Sequence, residues 1–164
     1  MTRLRKTLPL LLLAVTWVGS PIAVGAGEGD SPFDKLAGRW IGGGKLVIAD
    51  GTTETVKCRV TYLVSQQGAQ VRQTIRCAAA SGSIEVQSIV SHTRSHLSGT
   101  WRELSRDMSG DATGTVTPDG FELEIKGSDV RATMHVAVKG AQQIIIVDFV
   151  DSALTGLKLE LAKG

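Results

Sequence analysis

Val56-Lys57-Cys58-Arg59-Val60-Thr61-Tyr62-Leu63-Val64-Ser65, then Gln66-Gln67-Gly68-Ala69, then Gln70-Val71-Arg72-Gln73-Thr74-Ile75-Arg76-Cys77-Ala78-Ala79 is the stretch that decides the fold. Val56, Cys58, Val60, Tyr62 and Val64 alternate with Lys57, Arg59, Thr61, Leu63 and Ser65; Val71, Gln73, Ile75 and Cys77 alternate with Arg72, Thr74 and Arg76. A period of two is the signature of a strand with one face in a core and one in water. A hairpin centred between Gln67 and Gly68 sets Val64 opposite Val71, Val60 opposite Ile75 and Cys58 opposite Cys77. Directly opposed Cβ atoms lie close enough to be bridged, most easily at a non-hydrogen-bonded pair. A four-residue loop gives that pairing and a two-residue loop does not. The stretch therefore predicts a four-residue loop and a Cys58–Cys77 disulfide, with no sign of the Cys-x-x-Cys spacing of a redox-active pair.

The same period recurs on both sides. Trp40, Leu46 and Ile48 share a parity before an Asp50-Gly51 turn; Ile84, Val86, Ser88 and Val90 share one after Ser81-Gly82. Leu97, Gly99 and Trp101 follow the His92–His96 turn, and Met108 to Val116 precedes Pro118-Asp119-Gly120. Phe121, Leu123 and Ile125 come next, then Val130 to Val138, and Leu157, Leu159 and Leu161 close the series. Ile144 to Val147 is a continuous apolar run, which predicts a strand buried on both faces or placed in a crowded position. About ten short segments with a turn every 8–12 residues describe an all-β meander. Closure into an antiparallel up-and-down barrel of about 8–10 strands removes its edges. A β-sandwich is the alternative.

At the N-terminus, Arg3, Arg5 and Lys6 precede an apolar stretch from Leu8 to Val18, and small residues close the segment at Val24-Gly25-Ala26. That order is a secretory signal, with cleavage expected after Ala26. The apolar part falls short of the roughly 20 residues of a membrane span. Residues 1–26 are thus read as signal peptide and 27–164 as a single barrel domain, periplasmic or secreted, where a disulfide is the ordinary state of two cysteines. The signal holds three of the 18 Lys+Arg and no acid; 18 less 3 leaves 15 cations against 16 Asp+Glu, a net of −1. The basic balance of the whole chain is then a property of the leader and gives no reason to expect nucleic acid as a partner.

Ahead of the first strand, Ser31-Pro32-Phe33-Asp34-Lys35-Leu36-Ala37 reads as a short helical turn with Ser31 at its N-cap and Pro32 at the first helical position. It runs directly into Gly38-Arg39-Trp40. With those residues and the meander behind them, the chain resembles the lipocalin and calycin group. There a helical turn precedes Gly-x-Trp and the Trp plugs the closed end of a barrel. The resemblance implies structural roles for Gly38 and Trp40 and a basic residue over the Trp, for which Lys158 and Lys163 are the candidates. A typical lipocalin continues into a C-terminal helix, whereas the last segment here reads as a strand. The chain is also similar in outline to small periplasmic proteins of alphaproteobacteria that carry Gly-Arg-Trp and two cysteines.

With Cys58 pointing inward, the lining candidates are Val60, Tyr62, Val64, Val71, Gln73, Ile75, Val86, Ser88 and Val90. An apolar wall with a few polar marks suits a lipid or another small hydrophobic molecule. A filled core patterns identically in Val and Ile. It underlies the alternative reading, a cell-envelope interaction or structural protein without a small-molecule ligand. Lys57, Arg59, Arg72 and Arg76 share the outward parity and offer a weak contact to an anionic envelope surface. Gly42-Gly43-Gly44-Lys45 lacks the upstream Gly and the Ser/Thr of a phosphate loop. His92, His96 and His135 have no neighbouring acid or Cys that would complete a metal set, and no cofactor is expected. Neither Gly-x-Ser-x-Gly nor His-Glu-x-x-His occurs, so the expectation is a binding protein and not an enzyme. Charged outward positions argue against a transmembrane barrel. The oligomeric state is not encoded in any of these patterns.

Overall fold

In the computed structural model, which describes residues 31–164, the deciding hairpin forms in the expected register: Val64 faces Val71, Val60 faces Ile75 and Cys58 faces Cys77. The connection is the four-residue loop 66–69, and the cysteines are bonded with Cα atoms 4.2 Å apart. That spacing belongs to a non-hydrogen-bonded antiparallel pair. The proposed signal peptide and its cleavage point lie outside the described residues.

Ten strands follow one another as a meander: β1 (Gly38–Ile48), β2 (Thr53–Ser65), β3 (Gln70–Ala79), β4 (Gly82–Thr93), β5 (His96–Glu103), β6 (Met108–Val116), β7 (Gly120–Gly127), β8 (Arg131–Lys139), β9 (Gln142–Val150) and β10 (Leu154–Lys163). Each pairs antiparallel with its chain neighbours, and β1 pairs with β10 from Trp40↔Lys163 to Ile48↔Leu154. The sheet is thus a closed lipocalin-like up-and-down barrel and not a sandwich, with every edge strand removed. The β1–β10 seam needs glycine: a Cβ on Gly44 would run into the carbonyl of Lys158 on β10. Gly44→Ala is expected to lower the midpoint of thermal unfolding by several degrees, because the obstacle is backbone and cannot turn aside. An unchanged midpoint would show that the seam has slack.

One end of the barrel is sealed. A single 3-10 turn, Asp34–Leu36, crosses it, with Phe33 at the N-cap and not Ser31 as the sequence suggested. Ser31 lies two residues before that cap: its Oγ accepts from the Phe33 amide and donates to the Gly68 carbonyl, tying the turn to the β2–β3 loop. Phe33 and Leu36 are buried, and the Phe33 ring meets Phe121 at 5.6 Å and His92 edge-on at 5.3 Å. His92, at the start of the His92–His96 turn, is therefore packed against the plug. Trp40 is fully buried and its Nε1 donates to the Leu36 carbonyl at 2.7 Å. Lys163 Nζ sits 5.4 Å from the Trp40 ring centroid, whereas Lys158 pairs with Glu160 on the outer face. Lys163→Met is expected to cost about 0.5 kcal/mol, the low end for an exposed cation over an aromatic face, measured by urea unfolding; Lys158→Met is expected to be neutral.

The apolar run on β9 corrects another expectation. Ile145 and Val147 are buried in the barrel, but Ile144 and Ile146 are exposed on its outside at 40% and 38%. Strand alternation holds through the run, and no second layer covers that face among the described residues.

Candidate functional site

Alternation puts Trp40, Gly42, Gly44 and Leu46 of β1 on the inner surface, and Val56, Cys58, Val60 and Tyr62 of β2 beside them. The direction is fixed by a contact through the interior: Gln143 Nε2 on β9 donates to Tyr62 Oη on β2 at 2.9 Å, although three strand steps separate them around the wall. The nine lining candidates all carry this parity. They divide into two sets. Val60, Tyr62, Val71 and Val90 are packed tightly, with Val60 beside Trp40 in register. Gln73, Ile75 and Val86 are only half-buried, Ser88 lies at the border, and Val64 is half-buried near the sealed end.

The half-buried inward residues gather toward the other end, where the loops 49–52, 80–81, 104–107, 128–130 and 151–153 form a rim. Leu46, Ile75, Ile125, Met134, Phe149 and Leu157 are apolar, inward and partly reachable by solvent. Neighbouring strands cover their flanks, so that exposure is toward the barrel axis. The barrel is a cup in outline: Phe33, Leu36 and Trp40 close the floor, the wall is apolar, and no described helix or strand crosses the other end.

A polar stripe climbs the inner wall. Tyr62, Gln73, Ser88 and Trp101 are directly opposed in register on β2, β3, β4 and β5. Ser88 Oγ donates to Gln73 Oε1 at 2.9 Å, and Gln73 Nε2 donates to Tyr62 Oη at 3.3 Å. With Gln143 Nε2 donating as well, Tyr62 Oη accepts two amide hydrogens, and its own proton meets no acceptor among the described residues. Burial pushes the Tyr62 phenol up to about 12, with the two amide hydrogen bonds opposing, so it stays neutral and a donor at any physiological pH. Two further buried atoms have no partner among the described residues, Gln143 Oε1 and Trp101 Nε1. The Trp101 indole lies over Gly127, whose missing side chain leaves it room.

Two inward carboxylates mark the rim. Glu54 accepts from the Ser81 amide and hydroxyl at 3.2 and 2.7 Å. Glu103 is buried and accepts from the amides of Ser105 and Arg106 at 2.9 and 2.7 Å. Burial works to raise the Glu103 carboxyl, but these amides and the Ser105 hydroxyl outweigh it and hold the group below the usual carboxylate range. A depressed folded-state value means stabilisation present above the ordinary carboxylate pKa and lost as pH falls through the folded one. Glu103→Gln is accordingly expected to destabilise by about 1–2 kcal/mol at pH 7, since an amide nitrogen cannot accept, and by much less near pH 3. Urea unfolding at the two pH values measures both; an equal effect at each would refute the assignment.

On the outside, a groove of about 830 Å³ runs along β1–β4 between Ile41, Lys57, Arg59, Arg76 and Glu85, where Gly43 and Ala78 present no long side chain. Arg76 and Glu85, directly opposed on β3 and β4, form a two-pronged pair at 2.9 and 3.1 Å. Lys57, Arg59 and Arg72 are exposed as expected.

Sequence reading missed the far wall: Gln143, Leu123, Ile125, Met134, Phe149 and Leu157. Parity taken from Ile145 and Val147 would have placed Gln143 inside, but the uninterrupted Ile144–Val147 run hid the alternation. No protein-family model and no curated protein matches the chain. Among solved structures it is similar to Rv2717c from M. tuberculosis, with 18% identity over 80% of this chain and 94% of that one, and a TM-score of 0.66. It is also similar to the S-type phycobiliprotein lyase CPES from Guillardia theta, with 10% identity over 80% of this chain and 90% of that one, and a TM-score of 0.60. At these identities the likeness is one of fold, and the fold it supports is the ten-strand lipocalin-like barrel described above.

Proposed function

We propose that the protein is an exported carrier that holds a small hydrophobic molecule in the open half of its barrel. The observation that carries the reading is the set of inward apolar side chains left partly open to solvent above a sealed floor, chiefly Leu46, Ile75, Ile125, Met134, Phe149 and Leu157. Apolar surface left wet inside a concavity gains free energy when an apolar ligand covers it. Lipocalin-like neighbours, one of them a phycobiliprotein lyase, support a ligand in such a barrel. Binding is preferred over catalysis because both inward carboxylates already accept hydrogen bonds, Glu54 from Ser81 of the β3–β4 turn and Glu103 from Ser105 and Arg106. The disulfide supports export to the periplasm or medium.

Native mass spectrometry of protein purified from its own compartment tests the carrier. An extra mass that leaves on solvent extraction is expected. A bare protein that also fails to take up a neutral apolar fluorophore would sink the proposal. Detection of the protein only in the cytoplasm after fractionation would sink export.

A further inference from the structure

We infer that the molecule held in the cup is uncharged and ends in a group that both donates and accepts a hydrogen bond, a hydroxyl or an amide, and not in a carboxylate. The inference rests on the carrier reading and adds the chemistry of the ligand's polar end.

The inward-pointing basic side chains among the described residues are His92 and Lys163, and both belong to the sealed end, against Phe33 and over Trp40. The wall of the cup holds no Lys, Arg or His; its ionisable side chains are Tyr62, kept neutral by burial, and Glu54 and Glu103 at the rim. Taking an anion out of water costs several kcal/mol unless a cation or several donors compensate. An anionic ligand would pass two carboxylates at the mouth and find no cation inside. The cationic side chains Lys57, Arg59, Arg72 and Arg76 point away from it.

Two buried polar atoms of the stripe lack a partner among the described residues. Gln143 is 1% exposed and Trp101 8% exposed, yet Gln143 Oε1 and Trp101 Nε1 make no hydrogen bond. An unpaired buried polar atom carries its full desolvation penalty, so such atoms mark places where a partner belongs. Together with the Tyr62 proton they offer two donors and one acceptor. Turning the Gln143 amide over would let Tyr62 donate to Oε1 but would leave Nε2 unpaired, so one free polar atom remains either way. A hydroxyl or amide satisfies either orientation, whereas a carboxylate, which only accepts, leaves Gln143 Oε1 unpaired in the orientation the structure shows. Gln73, which bonds both Tyr62 and Ser88, is the half-buried member of this stripe.

The test is displacement of the neutral fluorophore N-phenyl-1-naphthylamine at pH 8 by four probes of one chain length: dodecan-1-ol, dodecanamide, dodecanoate and dodecylammonium. The alcohol and the amide are expected to bind at least about tenfold more tightly than either ion. Gln143→Leu and Trp101→Phe are each expected to weaken the amide about three- to tenfold relative to the fluorophore, the range for one hydrogen bond in a buried site; a cooperative thermal transition shows that the variants fold. Fluorophore uptake with dodecanoate or dodecylammonium bound as tightly as the alcohol would overturn the inference and leave the carrier standing. No uptake of the fluorophore or of any probe would remove the carrier itself, and the inference with it. A preference for the uncharged probes that neither substitution alters would overturn the assignment to these groups.

Discussion

Cys58→Ala/Cys77→Ala is expected to lower stability by about 3 kcal/mol, which for a domain of this size displaces the thermal midpoint by about 10 °C. The bond closes a loop with a sequence separation of 19 and joins residues already opposed in the β2–β3 ladder. Its main effect therefore falls on the unfolded chain, which it deprives of conformations, while the folded hairpin needs little rearrangement without it. Cys58 is buried in the wall, so the double alanine also loses some packing. Replacing both residues together leaves no lone thiol to mispair. Differential scanning calorimetry of oxidised wild type, reduced wild type and the double variant separates the two contributions. Reduced and oxidised protein melting together would show that hydrogen bonding and packing of the hairpin already restrict the chain as much as the bond does.

Trp40→Ala is expected to cost about 4 kcal/mol, the range for removing a large aromatic side chain from a packed core. Three contacts converge on that ring. It is completely enclosed, its Nε1 satisfies the Leu36 carbonyl, and Lys163 covers its face. Removing it leaves a cavity at the floor, an unpaired carbonyl in the 3-10 turn, and β1 without the anchor that holds its start against β10. Trp40→Phe keeps most of the apolar area and loses the hydrogen bond, with an expected cost of about 1–2 kcal/mol. Equilibrium unfolding in urea measures both. A cost below about 1 kcal/mol for Trp40→Ala would mean that the plug seals the barrel without supporting it, since a cavity of that size normally costs several times more.

The hairpin was legible because its register follows from local rules. A period of two fixes which side chains share a face, and the loop length fixes which residues are opposed. The same rules carry to the Arg76–Glu85 pair across the two-residue Ala80-Ser81 turn. They fail at Ile144–Ile146, where hydrophobicity is continuous and the barrel still exposes alternate residues. They fail again at Ser31, whose hydroxyl caps no helix because the plug tightens into a 3-10 turn under the β2–β3 loop.

By itself the sequence determined an all-β meander, the cysteine pairing, the inward parity of Tyr62, Gln73 and Ser88, and a Trp set at the head of the first strand. Each follows from neighbours within about 25 residues, where alternation and turn chemistry act directly. Tertiary structure decided the rest. Closure of β1 on β10 joins segments from opposite ends of the domain, and only that closure chooses a barrel over a sandwich. It brings Gln143 from β9 onto Tyr62 of β2, completing a polar stripe that no local pattern announces. It also sets how far inward side chains are covered. Val, Ile and Leu pattern alike in a filled core and in an open cup, and the difference lies in the distance between walls, which is a property of strand number and tilt.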